Sequence, residues 1–571
     1  MGTPCAKFKN SSADLAIIHI HLSWALAEKL NVPQQQAHEG SEFPSDPDAV
    51  KSWFLTHNAF GAADPVQTLL RALQQCNRTE NTIDNRIAIL QHFEKPCVHA
   101  LQSLDIRYLY LDFPLQEDAE IAFELANKLC EEMAYGYKLA LSDSIKNQNN
   151  RDKKACAQVI DRALEHLGRI ALRHSMIYRQ WPVTIWADSN ALIQIAQYEG
   201  NANIKYNSQR SDVVGQYAHL CAFHILATGN LQASELRGLY TDLISHTATI
   251  DFQRKPTGTS SDDYCIANHN PPTLVQFTRY NKKDKPLYFS TQALIRALKD
   301  TQHTDNNAPA YHAHLSDQPG RESARATRDN TISAVTGLEE IHNVMSIMPL
   351  ASDFESQYTD PAELTAQNAP SHASEITLLL QTEDTNFGTS FVAENQSSSG
   401  IGLRVNEIGS SDVQIGGLIA HCYGNSKEAL NWHVGVIKWL KTEQDRTLKL
   451  GVETISKHGK PVEVRRLIKG KTPSQTSTNA LLANYQPIDN KVPQLILPAH
   501  AFKSGETVRI TGDDGFRQVK LIECITQNSQ FQSFAIVQNR KLKLVTSDGS
   551  CLLYTSPSPR DRTRSRMPSS A

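Results

Sequence analysis

The sequence predicts a multidomain α + β protein, with an all-helical N-terminal domain followed by a small β-barrel and a further small C-terminal β module. Two observations predict this order. Up to about residue 300, apolar residues recur every three to four positions, as on the buried face of a helix. Beyond that point, short apolar runs are separated by Gly, Asn and Ser, as in the strands and turns of a barrel.

The composition is that of a globular protein large enough for several hydrophobic cores. Of its 571 residues, 40% are hydrophobic and 20% charged, and such a length suggests about two to four domains. Mean hydropathy is −0.41, and no uncharged apolar run reaches the ~18 to 20 residues of a membrane span. No secretory signal is recognisable, and the ten cysteines show no C-x-x-C spacing. We therefore expect a cytoplasmic protein with buried thiols and no transmembrane segment.

The segment 551–571 resembles the translation of a sequencing adaptor, with which "CLLYTSPSPRDRTRSRMPSSA" agrees without a gap. We expect it to be an artefact that stands in place of the natural C-terminus beyond about residue 550. It contains four Arg and one Asp, so without it 57 basic and 60 acidic residues become 53 and 59, and the net charge changes from −3 to −6. A net charge of −6 argues against a broad surface that binds DNA or RNA, because such a surface needs clustered Lys and Arg. It does not exclude a small ligand that carries phosphate.

The helical domain is predicted over residues 51–301, after a flexible segment at 1–50. Asp64 before Pro65 is a helix start, because Asp caps the first turn and Pro suits the first helical position. Gly229 is interpreted as a helix stop. Further helices are predicted from apolar residues at helical spacing: Val66, Leu69, Leu70 and Leu73; Ile121, Leu125, Leu129 and Met133; Val159, Ile160, Ala163, Leu164, Leu167, Ile170 and Leu172.

The second half is predicted to contain two β structures and two linkers. A linker at 302–330 carries an arginine motif and leads into a barrel at 331–470, which is interrupted by a disordered acidic insertion at 350–374. A second linker, rich in Ser, Thr and Asn, is predicted at 471–490. The β module at 491–550 contains "GDDG", which predicts the turn of a hairpin.

Two polar motifs flank the first predicted strands of the barrel. In "RESARATR" the arginines are Arg321, Arg325 and Arg328, and either the first two or the last two can carry an arginine role. In "NQSSSG" the polar residues are followed by the glycine that leads into the strand "IGLRV": Asn395, Ser397 and Gly400.

These motifs resemble the signature of the PilZ family of bacterial cyclic-di-GMP receptors, R-x-x-x-R followed by [D/N]-x-S-x-x-G. The order of "IGGLIA", "WHVGVIKWL" and "LKLGVETIS" is also similar to that family, and the helical half is similar to a longer PilZ subfamily. The resemblance implies a PilZ-like six-stranded β-barrel, cyclic-di-GMP as ligand and no cofactor or metal. It further implies a role in surface attachment or type IV pilus control through an unidentified protein partner of the pilus or polar machinery.

The residue types of the two motifs suit a doubly charged nucleotide ring. The planar arginine fork can bond phosphate or the O6 and N7 edge of guanine in two places, and it can stack on a base. Asn395 and Ser397 offer short hydrogen-bonding side chains. Gly400 permits a close or a left-handed backbone that a side chain would block. A flexible arm that wraps the ligand can become ordered on binding and can change how the helical domain faces the barrel.

Two other functions stay open at this point. The insertion between the motifs, and Asn395 where Asp is usual, favour a ligand-free scaffold that acts only as a protein-interaction module. An enzyme in the helical half is the other alternative, but no nucleophile elbow, P-loop, metal-spaced cluster or carboxylate pair is visible in the sequence. The sequence therefore predicts a non-enzymatic receptor. Trp432 and Trp439 are interpreted as barrel core, with stacking on a ligand as the alternative.

Overall fold

The computed structural model describes most of the helical half and most strands. It describes residues 21–36, 43–44, 46–56, 64–109, 111, 113, 115–146, 152–206, 212–255, 263–267, 269–275, 286–302, 326–347, 389–396, 400–405, 413–423, 432–443, 447–468, 472–484, 492–512 and 515–538. The predicted insertion at 350–374 and the adaptor-like segment at 551–571 lie outside these ranges. The described residues belong to two compact units, one drawn from 1–335, 383–417 and 435–454, the other from 336–382, 418–434 and 455–571.

The N-terminal region is helical, as predicted. Its helices are α1 (Pro47–Thr56), α2 (Pro65–Arg78), α3 (Ile83–Asp105), α4 (Glu117–Lys146), α5 (Lys153–Met176), α6 (Val183–Tyr198), α7 (Val213–Leu226) and α8 (Ala233–His246).

The start of α2 follows the local sequence closely. The carboxylate of Asp64 accepts a hydrogen bond from the backbone N–H of Gln67 at 3.0 Å, and Pro65 opens the helix. This geometry satisfies one of the backbone donors that a helix leaves unpaired at its N-terminus. The predicted cap is therefore confirmed.

The apolar stripe predicted for α4 is only partly buried. Leu129 and Met133 are buried, but Ile121 is 48% exposed. Four residues span about 400° of an α-helix, so a strict four-residue repeat drifts by about 40° at each step. Over three steps the stripe turns away from the core, and Ala122 and Phe123 occupy the buried face in place of Ile121.

A small antiparallel sheet ends the helical region, and the sequence did not predict it. Its strands are β1 (Asp263–Ile266), β2 (Thr273–Leu274) and β3 (Leu287–Ser290), in the order β2-β1-β3, followed by α9 (Gln292–Gln302). Strands of two to four residues are too short to show an alternating pattern. The prediction that this domain is entirely helical is corrected here.

The first β structure is a closed six-stranded barrel, in the order β4-β5-β6-β9-β8-β7. Its core contains Phe391, Leu403, Ile437 and Leu450, all fully buried. The elements are β4 (Ala326–Thr336), α10 (Leu338–Ile347), β5 (Thr389–Gln396), β6 (Gly400–Val405), β7 (Leu418–Tyr423), β8 (His433–Thr442) and β9 (Leu448–Ser456).

Two boundaries at the start of this barrel differ from the prediction. Strand β4 begins at Ala326, inside the predicted linker 302–330. The sequence did not predict this start, because the first residues of the strand are mostly polar. The segment after it forms α10, a helix within the region 331–470 for which a β-barrel was predicted. Ile341 and Met345, four residues apart, are the buried residues of α10, as expected for one face of a helix.

The last part of the chain forms a second closed barrel, which we call the C-terminal barrel. Pairing of β10 with both β12 and β14 closes the ring β10-β12-β13-β16-β15-β14, and β11 pairs only with β10. Its strands are β10 (Gly459–Ile468), β11 (Thr472–Pro473), β12 (Thr478–Ala483), β13 (Gln494–Pro498), β14 (Thr507–Gly512), β15 (Gly515–Gln527) and β16 (Phe531–Gln538).

The C-terminal barrel corrects three sequence predictions about domain limits. The segment 471–490 is not a linker, because β12 lies inside it and pairs with β10 and β13. Strand β10 belongs to this barrel and not to the one predicted at 331–470. The module predicted at 491–550 is therefore only part of a barrel. The hairpin prediction is confirmed, since Gly512 pairs with Gly515 across a two-residue connection.

None of the helices among the described residues combines the length and the apolarity that a membrane crossing requires. Seven of the eight cysteines within the described ranges are buried, as predicted, and none forms a disulfide.

Candidate ligand-binding site

Three of the six predicted site residues lie in described parts of the chain. Arg328 lies in β4, where the backbone is described, Asn395 lies near the end of β5, and Gly400 opens β6. Arg321, Arg325 and Ser397 lie outside the described residues.

The strand register brings the two sequence motifs together. Ala326, the residue after Arg325 in sequence, pairs with Gln396, and Thr327 pairs with Asn395. The next register pair is Asn330 with Ala393, so β4 has one extra residue between these pairs, a β-bulge that includes Arg328. Bulges are frequent beside binding sites because they redirect side chains. The end of the arginine motif therefore lies on the strand next to Asn395.

Asn395 lies over a glycine of the next strand. It pairs with Gly402 in β6, and a Cβ atom added to Gly402 would lie 2.7 Å from the Asn395 side-chain oxygen. The side-chain amide thus occupies the space that any other residue at 402 would fill. Gly402 was not predicted as a site residue, because its requirement arises from the neighbouring strand.

Gly400 is needed for a close approach between strands. A Cβ atom at this position would clash with the backbone carbonyl oxygen of Val452 in β9. Gly400 pairs with Glu453, the next residue of that strand. Of the two predicted reasons for glycine here, the close approach is confirmed, and its φ does not lie in the left-handed region.

A second glycine and a tryptophan continue this surface. Gly402 pairs with Gly451 in β9, and the indole of Trp439 in β8 covers the position where a Gly451 side chain would lie. Trp439 is half-buried, whereas Trp432 is 2% exposed and belongs to the core. The interpretation of both tryptophans as core therefore holds for Trp432 only. The Asn395 amide and the Trp439 indole lie over paired glycines.

The cations described near this surface already have carboxylate partners. Glu394 lies 3.4 Å from Arg404 and 2.9 Å from Lys449, and Lys449 also lies 3.2 Å from Glu443. Hydrogen bonds to Glu394 and Glu443 raise the pKa of Lys449. A ligand with two phosphate charges therefore needs positive charge from another source, and the arginine motif is the nearest in sequence.

Strand β8 leads from Trp439 directly to the helical region. The N–H of Leu440 donates to the carbonyl of Gly229 at 2.9 Å, and the N–H of Thr442 donates to the carbonyl of Tyr178 at 2.7 Å. We call these two hydrogen bonds the β8 seam. All four residues belong to the same compact unit.

Local features of the helical region make the β8 seam possible. Gly229 was predicted as a helix stop, but α7 ends at Leu226, and a Cβ atom at 229 would lie 2.5 Å from the carbonyl oxygen of Leu440. Tyr178 follows the end of α5 with φ at +59°, which is uncommon for a residue with a side chain.

A second contact between the helical region and the barrel pairs Phe113 with Val413 through backbone hydrogen bonds of 3.2 and 3.4 Å.

Two regions of the chain match models of one receptor family. Residues 48–257 match the family described as "Cyclic-di-GMP receptor FimW, N-terminal domain". Residues 462–538 match "FimW C-terminal beta-barrel domain". No curated protein and no solved structure matches the chain. The chain is thus similar to a cyclic-di-GMP receptor in its helical region and in its C-terminal barrel.

Proposed function

We propose that this chain is a non-enzymatic, cytoplasmic receptor that binds cyclic-di-GMP on its first barrel, as PilZ domains do. The observation that carries the proposal is the β4–β5 register, in which the strand that contains the end of the arginine motif pairs with β5 at Asn395. The two matches to a cyclic-di-GMP receptor family support the same ligand. The family models cover parts of the chain other than the first barrel, so they are independent of the motifs.

In the proposed complex, the arginine motif supplies the charge that the barrel surface lacks. Arg321, Arg325 and Arg328 bind the two phosphates and the guanine edges. Each charge-assisted hydrogen bond contributes about 1.5–3 kcal/mol, so the loss of one arginine weakens binding by about tenfold or more. Because Arg404 and Lys449 already pair with Glu394, they add little to this attraction.

Short polar groups and one aromatic face complete the proposed site. The Asn395 amide, held over Gly402, accepts or donates hydrogen bonds at the rim. Ser397 adds a hydroxyl group, and Gly400 lets β6 approach β9 closely. The half-buried indole of Trp439 offers a face on which a guanine can stack, which is worth about 1–3 kcal/mol for a base.

The proposed response to the ligand passes through β8. Trp439 touches the proposed site, and the next residue, Leu440, is bonded to the helical region through the β8 seam. A ligand that shifts Trp439 thereby changes the packing of Gly229 and Tyr178. The helical region then presents an altered surface to a protein partner in surface attachment or type IV pilus control.

The test is calorimetric titration of the full-length protein with cyclic-di-GMP. We expect saturable binding at micromolar concentration or below, weakened about tenfold or more by Arg325→Ala and by Asn395→Ala. Arg71→Ala, at an exposed position of α2, is the matched control and should bind like wild type. Flat titrations with several cyclic dinucleotides would instead establish the ligand-free scaffold. Unchanged affinity in both site variants would place the site elsewhere.

A further inference from the structure

The outer surface of the C-terminal barrel carries two arginines side by side. Arg465 in β10 pairs directly with Arg509 in β14, and Arg509 pairs with Gln518 in β15. The flanking residues Val464 and Ile510 are buried in the barrel core. Since side chains alternate along a strand, the two arginines point outward on the same face.

Arg509 is held in place without a carboxylate. Its guanidinium carbon lies 3.8 Å from the ring centroid of Phe516, a residue that is 50% exposed. Among the described residues, no carboxylate lies within ion-pair distance of Arg509, and its buried Nε atom has no hydrogen-bond acceptor. An unpaired buried donor beside a stacked cation requires a structural explanation.

Arg465 does not relieve this excess of positive charge. Its partner Glu463 lies 3.6 Å away, and both side chains are nearly half exposed, so solvent screens the pair strongly. Like charges directly opposite each other on neighbouring strands are destabilising. An anion that bridges Arg465 and Arg509 would remove this repulsion.

Two exposed apolar side chains, Phe516 and Val537, lie on the same face as the arginine pair. Phe516 pairs with Thr511 next to Arg509, while Lys520 pairs with Thr507 on one side and with Val537 on the other. Val537 is 57% exposed. Arginine and aromatic residues within an exposed apolar surface are characteristic of protein interfaces. Binding of a nucleic acid strand would instead favour a basic groove with several stacking aromatics.

We propose that this face, defined by Arg465, Arg509, Phe516, Lys520 and Val537, is a docking surface for an acidic segment of a partner protein. Carboxylates of the partner bridge the two guanidinium groups, and its apolar side chains cover Phe516 and Val537. The surface shares no residue with the proposed nucleotide site, so we expect it to give the receptor a second binding function that does not depend on the first.

The test is fluorescence anisotropy of the full-length protein with a labelled peptide of repeated Glu-Glu-Leu triplets. The matched probe replaces each Glu by Gln. We expect the acidic peptide to bind more tightly, and Arg509→Gln or Arg465→Gln to weaken it about tenfold. Lys503→Gln removes one exposed charge of the same barrel that is not among the five residues defining this face, and it should have little effect. Cyclic-di-GMP affinity should be unchanged in all three variants, which separates this test from that of the nucleotide site.

Three results would overturn the proposal. One is equal affinity for the acidic and the amide peptide, and another is a loss in Lys503→Gln as large as in Arg509→Gln. The third is tighter binding of a single-stranded oligonucleotide than of the acidic peptide, which would assign the face to nucleic acid. Arg465→Gln relieves like-charge repulsion and should melt no lower than wild type, so it provides a folded variant even where Arg509→Gln is destabilised.

Discussion

Replacing Gly229 by alanine is expected to open the β8 seam. The new Cβ atom would lie 2.5 Å from the Leu440 carbonyl oxygen, whereas carbon–oxygen contacts in proteins are about 3.3 Å or longer. The strand must therefore move by about 0.8 Å. Because the Leu440 N–H donates to Gly229 at 2.9 Å, the same movement stretches this hydrogen bond beyond its normal range.

The cost of the Gly229→Ala change is that of local overpacking, about 1–3 kcal/mol. If the seam opens locally, amide hydrogen exchange at Leu440 and Thr442 should accelerate by about 5- to 150-fold. Gly512→Ala is the matched control, because its Cβ would make only an ordinary contact of 3.4 Å with Val462. Unchanged exchange in Gly229→Ala, or equal acceleration in Gly512→Ala, would refute the role of Gly229 in this contact.

Three further predictions concern the helical core, acid stability and the aromatic face of the site. Lys138→Met should destabilise the protein by about 3–5 kcal/mol, because Lys138 donates to the buried Asp188 at 2.6 Å and its loss leaves that carboxylate without its cation. A thermal melt indistinguishable from wild type would contradict this. Burial lowers the pKa of His174, His219 and His224 to about 4. In the unfolded chain these histidines titrate near pH 6.5, so as the pH falls the unfolded chain binds protons before the folded protein does. The free energy of unfolding should therefore fall from about pH 6.5 to pH 4. The loss is about 2 kcal/mol per group at pH 5, and urea unfolding curves that agree at pH 7.5 and pH 5 would disprove it. Trp439→Ala should weaken cyclic-di-GMP binding by about 5- to 150-fold in calorimetry if stacking contributes about 1–3 kcal/mol. Affinity equal to that of wild type would show that Trp439 is not part of the site.

The features that the sequence predicted well depend on residues that lie close together along the chain. The cap at Asp64 and the two-residue hairpin between Gly512 and Gly515 are both encoded within a few positions. The order of helices followed by β structures was likewise visible from periodicity. Such features need no knowledge of distant strands, so a single sequence is enough to predict them.

The barrel limits were missed because they depend on pairing between distant segments. Strand β10 follows β9 after a short turn, and only its pairing with β12 and β14 assigns it to the C-terminal barrel. Strand β12 is short, and Ser and Thr precede it, so its composition suggested a linker. Long-range hydrogen bonds leave no local pattern that would reveal either assignment.

The candidate site was predicted in part for the same reason. The motif residues Asn395 and Gly400 were recognisable from spacing, and the strand register puts Asn395 beside the end of the arginine motif. Gly402 and Gly451 were not recognised as site residues, and a ligand-stacking role for Trp439 was only an alternative, because their relation exists only across paired strands. Glycines in successive strands are a signal that could have suggested a close packing position there.

Hydrogen–deuterium exchange of the full-length protein with and without cyclic-di-GMP tests the proposed site most directly. We expect the ligand to protect amides in 320–330 and 395–405, with no protection in the C-terminal barrel at 462–538. Protection confined to the helical region or to the C-terminal barrel, with 320–330 and 395–405 unchanged at saturating ligand, would contradict binding between the arginine motif and the β5–β6 edge.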